Sequence, residues 1–188
     1  MKSTAPLLLT TVICAATALR AETQFPAELA GHAILPAETL IPAPADAPAA
    51  LQVSGKYPSI PRLTDAPTDG SALPFNGQPV QGFSGIRQIE PGRYYVLTDN
   101  GFGSMANSPE AKLFFHVIAT DFDTGEVVIE RTTFFSDPNM VIPFPIQMEA
   151  SETRYLTGSD FDVEGFQVID GKIYVGDEFG PYIFVADA

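Results

Sequence analysis

The sequence predicts an all-β fold of the β-propeller type, and three observations indicate it. The 188 residues include 17 prolines and 15 glycines, too many turn-forming residues for a helical protein. Short runs of β-branched and aromatic residues alternate with turn residues from Gly82 onward. One strand-turn-strand segment, which begins at Gly85, recurs at Gly165, a spacing of about two propeller blades of ~40 residues. A β-sandwich is the alternative fold.

The first 21 residues have the pattern of a secretory signal peptide. Lys2 precedes an uncharged apolar stretch, and Ala21 is a small residue at the expected cleavage point, with Ala18 as the second choice. The apolar stretch is too short to span a bilayer core of about 30 Å. We therefore expect a periplasmic or secreted protein with no stable membrane insertion after the signal is cleaved. An uncleaved N-terminal anchor is the alternative.

Charge and cysteine content narrow the classes of function. Lys and Arg number 10 against 23 Asp and Glu, which gives a net charge of -13 at pH 7. This acidity disfavours nucleic acid and anionic lipid as partners, because both attract clustered basic side chains. The single cysteine, Cys14, lies in the signal segment. The mature chain is therefore expected to have no disulfide, cysteine nucleophile or cysteine–zinc site.

Residues 22–70 form an Ala- and Pro-rich segment that precedes the main domain at residues 71–188. Seven prolines between Pro36 and Pro67 disfavour long helices there. Short strands are predicted at 29–35 and 50–53, and one of them is expected to join the main sheets. A disordered leader is the alternative, and the domain itself could begin near residue 30.

The main domain is predicted to consist of strands joined by tight turns. Seven strands are predicted, at residues 85–89, 94–97, 113–120, 126–135, 166–169, 173–175 and 182–185. The two-residue Asp170-Gly171 turn is typical of a β-hairpin. No amphipathic helix is predicted after the signal. These residues account for about four blades, so we expect an incomplete part of a larger propeller.

Acidic residues cluster at the ends of the repeated strands. Asp160, Asp162 and Glu164 alternate along the chain, and alternate residues of a strand face the same side, some 6–7 Å apart. Packed carboxylates repel one another unless a cation or a proton lies between them. Oxygen ligands favour Ca²⁺ or Mg²⁺. The alternative is a solvated acidic turn that leads into a strand.

Two more acidic groups follow equivalent strands of the repeat. Asp99 comes after strand 94–97, and Asp177 and Glu178 come after strand 173–175. Equivalent strand ends of different blades converge on one face of a propeller, near its axis. The alternative is that these residues only favour the formation of turns.

The chain resembles the phytase-like family, described as "esterase-like activity of phytase". The matching stretches read FSGI, LTDNGFG, DVEG and GDEFGPYI, at residues 83–86, 97–103, 162–165 and 176–183. Leu35-Pro36-Ala37 is also similar. The resemblance extends from about residue 30 to the end, and it is expected to correspond to the N-terminal portion of the family domain.

The resemblance implies a β-propeller, an exported bacterial protein and hydrolysis of phosphate or other esters. It assigns acidic-site roles to five residues: Asp99, Asp162, Glu164, Asp177 and Glu178. We predict a metal-assisted hydrolase of a small-molecule ester, in which Ca²⁺ binds Asp99, Asp162, Glu164 and Asp177. Glu164, Asp177 and Glu178 are the predicted catalytic residues. The alternative is a non-catalytic exported β-propeller module that binds a ligand or partner and holds a structural calcium ion.

Overall fold

The computed structural model describes residues 26–56, 73–99 and 101–188, so the predicted signal peptide lies outside the described residues. In the described part, regular structure is β-strand apart from two short 3₁₀ turns, at Ala49–Leu51 and Met105–Asn107. No described helix is long and apolar enough to cross a membrane. The prediction of an all-β fold is confirmed.

The chain divides into two compact units, Met1–Ala30 and Gly31–Ala188. Residues 26–30 of the first unit have no regular secondary structure and are exposed. The description that follows concerns the second unit. The predicted boundaries at residues 21 and 70 fall in segments outside the described residues and stay predictions.

Nine strands in the described residues form three antiparallel sheets. The small sheet pairs β1 (Leu40–Ile41) with β2 (Gln78–Pro79). The four-stranded sheet contains, in order, β3 (Phe83–Glu90), β4 (Arg93–Thr98), β5 (Phe114–Asp121) and β6 (Glu126–Phe134). The three-stranded sheet contains β7 (Val163–Ile169), β8 (Lys172–Asp177) and β9 (Ile183–Asp187).

The two strands predicted before residue 70 are wrong. Residues 31–35 have no regular structure. The Ile34 N–H donates a backbone hydrogen bond to Gly125 O (3.1 Å). Residues 49–51 form a 3₁₀ turn that follows Pro48 and is closed by the hydrogen bond from Leu51 N to Pro48 O (2.8 Å). Among residues 26–56, which the structure describes, the strand is β1, and it pairs with β2 instead of joining the larger sheets.

The repeated sequence segments form equivalent hairpins, β3–β4 and β7–β8. Asp170 and Gly171 both have positive φ, 50° and 75°, as a two-residue hairpin turn requires. The opening strands β3 and β7 pack side by side. A Cβ atom on Gly85 would lie 2.8 Å from Phe166 Cδ1, so the glycine permits this close approach. Two antiparallel meanders with neighbouring first strands match the arrangement of adjacent propeller blades.

A shared hydrophobic core lies between the two larger sheets. Its fully buried members include Leu97 at the end of β4 and Val163 at the start of β7. Phenylalanine supplies much of the remaining volume, and the Phe161 and Phe184 rings lie 5.0 Å apart. Each such side chain contributes about 1.5–3 kcal/mol when fully buried. The core therefore holds the end of β4 and the start of β7 at a fixed separation.

Candidate functional site

Three of the predicted acidic residues meet where β4 ends and β7 begins. Asp99 directly follows β4, Asp162 directly precedes β7, and Glu164 is the second residue of β7. One carboxylate oxygen of each lies within 4.8 Å of the others. The buried neighbours Leu97 and Val163 anchor both chain segments in the core. The repeat predicted that Asp99 converges with Asp177 and Glu178, whereas the carboxylate oxygens that meet are those of Asp99, Asp162 and Glu164.

Two hydrogen bonds with the last residue of β8 and the residue after it hold Asp162 in place. The Asp162 N–H donates to Asp177 Oδ1 (2.8 Å), and the Glu178 N–H donates to the Asp162 carbonyl (2.9 Å). Asp162 is half-buried, whereas Asp99 and Glu164 are exposed. The three carboxylates therefore form a cluster that is fixed on one side and open to solutes on the other.

The surroundings of Glu164 disfavour the charged form of its carboxyl. Loss of solvent around its carboxyl, together with the negative charges of Asp99, Asp162 and Glu178, raises the pKa of Glu164. A proton or a cation relieves this repulsion. The site therefore binds a positive charge more readily than an isolated surface glutamate does.

The three predicted catalytic residues line one shallow cleft of about 570 Å³. Glu164, Asp177 and Glu178 share this cleft with Tyr182. The Asp177 carboxylate also accepts the Phe179 N–H (3.3 Å), so it organises the loop after β8. Asp177 lies outside the group of three converging oxygens, and its assignment as a metal ligand stays a prediction.

Asp160 does not belong to the row of carboxylates that its spacing predicted. It precedes β7, which starts at Val163, so the alternation of an extended strand does not apply to it. Its carboxylate accepts hydrogen bonds from Gln147 N (2.6 Å), Thr157 N (2.7 Å) and Thr157 Oγ1 (2.9 Å). Burial raises the pKa of Asp160, although these hydrogen bonds oppose that shift. Asp160 is therefore a structural residue.

Tyr182 is a cleft residue that the sequence reasoning missed. A Cβ atom on Gly180 would lie 2.6 Å from Tyr182 Cε2, so the ring covers this glycine. The other side of the ring packs against Phe144, with centroids 5.4 Å apart. The Gly180-Pro181-Tyr182 sequence was the available signal, because a glycine before an aromatic residue permits such a close approach.

A family model described as "Phytase-like: Esterase-like activity of phytase" matches residues 78–188. The match covers more than half of the chain, and the chain belongs to this family, which has a propeller fold. All five acidic residues assigned by the resemblance lie in the matched range. No curated protein and no solved structure matches the chain.

The matched residues are the C-terminal part of this chain, so the expected start near residue 30 and the N-terminal placement are wrong. Among the described residues before 78, the only strand is the two-residue β1, whereas the repeated hairpins begin with β3. Leu35-Pro36-Ala37 is thus not part of the matched pattern.

Proposed function

We propose that this chain is an exported, phytase-like hydrolase that binds Ca²⁺ and cleaves phosphate or other esters of small molecules. The convergence of Asp99, Asp162 and Glu164 carries the proposal, because three carboxylate oxygens from two sheets lie within 4.8 Å of one another. Membership in the phytase-like family supports the same reading.

The donor set fits calcium in chemistry and in size. Calcium binds carboxylate oxygens at about 2.3–2.6 Å, so two oxygens on one ion can be up to about 5 Å apart. The separations in the cluster lie within this limit. Asp177 is the proposed fourth ligand. Bound calcium would offset the negative charge of a phosphate and lower the pKa of a bound water.

The cleft residues have distinct proposed roles. Glu164 borders the cleft and also belongs to the proposed calcium ligands, so its carboxylate would accept a proton from the attacking water beside the ion. Glu178 lines the same cleft, and its negative charge acts on Glu164. Asp177 positions Asp162 through the hydrogen bond from the Asp162 amide. An ester lying in the cleft would contact all three catalytic candidates.

One observation favours the second candidate function, a non-catalytic exported module with a structural calcium ion. The Asp177 carboxylate accepts two backbone N–H groups, from Asp162 and Phe179. Asp177 thereby holds the loop after β8 in place. A calcium ion bound beside it would stabilise that loop without catalysing ester hydrolysis.

An assay of ester hydrolysis distinguishes the hydrolase from the non-catalytic module. Release of p-nitrophenol from p-nitrophenyl phosphate and from p-nitrophenyl acetate is measured with Ca²⁺ and with chelator. The hydrolase predicts calcium-dependent release that Glu164→Gln abolishes. The matched control is Glu126→Gln, an exposed glutamate at the start of β6 in the four-stranded sheet. Calcium-dependent stabilisation without release supports the structural module, and no response to calcium contradicts both.

A further inference from the structure

A larger cleft, of about 770 Å³, lies beside the cleft that Glu164, Asp177 and Glu178 line. Tyr182 and Ile183 line both of them, so the two clefts meet where β9 begins. We call the larger one the apolar cleft and the smaller one the acidic cleft. The volume of the apolar cleft is in the range of small-molecule binding sites, about 300–1,000 Å³.

Apolar side chains dominate the lining of the apolar cleft. Phe135, Leu156 and Phe161 belong to the buried core, and each also borders the cleft. Val141 and Val185 line it as well, although both are more than half exposed to solvent. Exposed apolar side chains that line a cleft are typical of a ligand-binding groove. The apolar cleft therefore favours a ligand group that is itself apolar, because such a group displaces water from these side chains.

A chain of aromatic rings connects the two clefts. The Phe184 ring lies 5.0 Å from the Phe161 ring, and Phe161 lies 5.7 Å from Phe144, centre to centre. The Phe144 ring in turn lies 5.4 Å from that of Tyr182, which lines the acidic cleft. A ligand that lies across Tyr182 thus contacts apolar rings at one end and carboxylates at the other.

The charges in the two clefts favour a neutral ligand. The charged residues that line the apolar cleft are Asp137 and Asp187, and these pair with Arg154 and Lys172. Of the described residues that line either cleft, none is lysine, arginine or histidine. A multiply charged anion would therefore meet carboxylates, and only the proposed calcium ion would offset its charge. A neutral ester avoids this repulsion.

We propose that the apolar cleft binds the apolar group of a neutral carboxylic ester whose carbonyl lies in the acidic cleft. Burial of a hydrocarbon chain against the rings would hold the ester across Tyr182, and binding of a non-reacting group in this way positions the reacting one. This substrate class rests on the proposed function, whereas the binding of an apolar compound in the cleft does not.

Two series of esters test the substrate class, with acid release followed by titration at constant pH in the presence of Ca²⁺. One series lengthens the acyl group from methyl acetate to methyl hexanoate, and the other lengthens the alcohol from methyl acetate to hexyl acetate. We expect kcat/KM to rise at least about tenfold along one series, because burial of each methylene favours the longer chain about fourfold. An active enzyme with no rise along either series would overturn this proposal while the hydrolase stands.

Ile183→Asn tests whether the apolar cleft is responsible for that preference. Ile183 is 74% exposed, so the fold should tolerate a polar side chain there. The variant is expected to lower the preference for the longer ester by about threefold or more, since it removes apolar surface where the clefts meet. Ile169→Asn is the matched control, because Ile169 is 52% exposed on the same sheet and lines neither cleft. Equal losses in the two variants would contradict the assignment.

Binding without turnover is measured with N-phenyl-1-naphthylamine, a neutral probe whose fluorescence rises in an apolar environment. The wild-type chain and Ile169→Asn should bind the probe equally, and Ile183→Asn should bind it more weakly. This pattern in a chain that hydrolyses no ester would support the apolar cleft and refute the hydrolase. Absence of probe binding would overturn the proposal. So would a dimer, detected by sedimentation, whose formation displaces the probe, because a second copy would then cover the cleft.

Discussion

Ionisation of the exposed Glu164 carboxyl is unfavourable to the fold. Its pKa is raised by partial loss of solvent and by the charges of Asp99, Asp162 and Glu178. The folded state therefore holds a proton on Glu164 more firmly than the unfolded state does. Its ionised form destabilises the fold once the pH exceeds the raised pKa, and this penalty is absent below the ordinary glutamate pKa of about 4.3.

Glu164→Gln should therefore raise the melting temperature at pH 7 in the presence of chelator, because it removes one of the repelling charges. The gain should disappear as the pH falls below about 4, where the wild-type carboxyl is protonated. Thermal unfolding followed by circular dichroism between pH 3 and pH 8 measures the effect, with Glu126→Gln as the control. A lower melting temperature of Glu164→Gln at pH 7 without calcium would refute the repulsion.

Asp137 and Arg154 form the one ion pair in the described residues whose two side chains are both buried. Both side chains are buried, and Arg154 Nη2 lies 3.2 Å from Asp137 Oδ2. Burial raises the pKa of Asp137, but hydrogen bonds from the Val141 and Ile142 amides and from Arg154 outweigh it and hold the pKa below its ordinary value. The pair therefore stabilises the fold above the ordinary Asp pKa of about 3.9, and this contribution is lost as the pH falls further.

Asp137→Ala should lower the free energy of unfolding by about 1–3 kcal/mol, because it removes the buried acceptor of Arg154 and of the Val141 and Ile142 amides, while Glu149 still pairs with the guanidinium. Glu149→Ala is the control, since Glu149 also pairs with Arg154 but its side chain is 48% exposed. An exposed partner of this kind contributes about 0–1 kcal/mol. Urea unfolding at pH 7 measures both variants, and equal losses would contradict the assignment.

At the scale of strands, the repeat contains two glycines in equivalent positions with different surroundings. A Cβ atom on Gly85 would lie 2.8 Å from Phe166 Cδ1, whereas one on Gly165 would have no atom within 4 Å. Gly85→Ala should therefore cost about 1–3 kcal/mol, as overpacking of a core usually does. Gly165→Ala should change stability by less than about 0.5 kcal/mol.

Chemical unfolding of the two glycine variants tests whether β3 and β7 pack closely. The comparison is well controlled, because both substitutions add the same methyl group to the same position of the repeat. A larger loss in Gly165→Ala than in Gly85→Ala would mean that the opening strands do not lie side by side.

Hairpins could be predicted from sequence because their signals are local. The predicted strands 85–89 and 94–97 lie within β3 and β4, and the Asp170-Gly171 turn forms as expected. A turn residue and an alternating pattern act over a few positions, so neither depends on the rest of the chain. The repeat predicted that Asp99 converges with Asp177 and Glu178 at equivalent strand ends, but Asp99 meets Asp162 and Glu164 at the start of β7 instead.

The errors concern features that depend on distant partners. Asp160 has the spacing of a strand residue, but hydrogen bonds from Thr157 and from Gln147, 13 residues away, together fix it in a turn. Residues 31–35 have strand-like composition, yet Ile34 is 64% exposed because no sheet face covers it. A local pattern cannot reveal either outcome, since the deciding contact comes from another part of the chain.

At the scale of the whole molecule, export remains a prediction with a direct test. Residues 1–21 have the signal pattern, so the mature chain should begin at Glu22. N-terminal sequencing of protein from the periplasm or the medium measures the start. Exported protein that retains Met1 would refute cleavage and favour the N-terminal anchor.

Calcium should stabilise the whole molecule, because the proposed ion would join its two larger sheets. Asp99 follows β4 of one sheet, while Asp162 and Glu164 belong to the start of the other. An ion that binds only when these ends are together raises stability by about 2.7 kcal/mol at a hundredfold excess over its dissociation constant. Chelator should therefore lower the melting temperature of calcium-loaded protein.

The variants identify the site responsible for that shift. Asp99→Asn and Glu164→Gln should each reduce the calcium-induced rise in melting temperature, although the two residues lie on different sheets. Asp121→Asn is the control, since Asp121 is an exposed carboxylate whose oxygen accepts the Asp123 and Thr124 amides of a hairpin turn. It should retain the full rise. An unchanged melting temperature after chelation, or equal losses in all three variants, would show that the two sheets are not joined by an ion at this cluster.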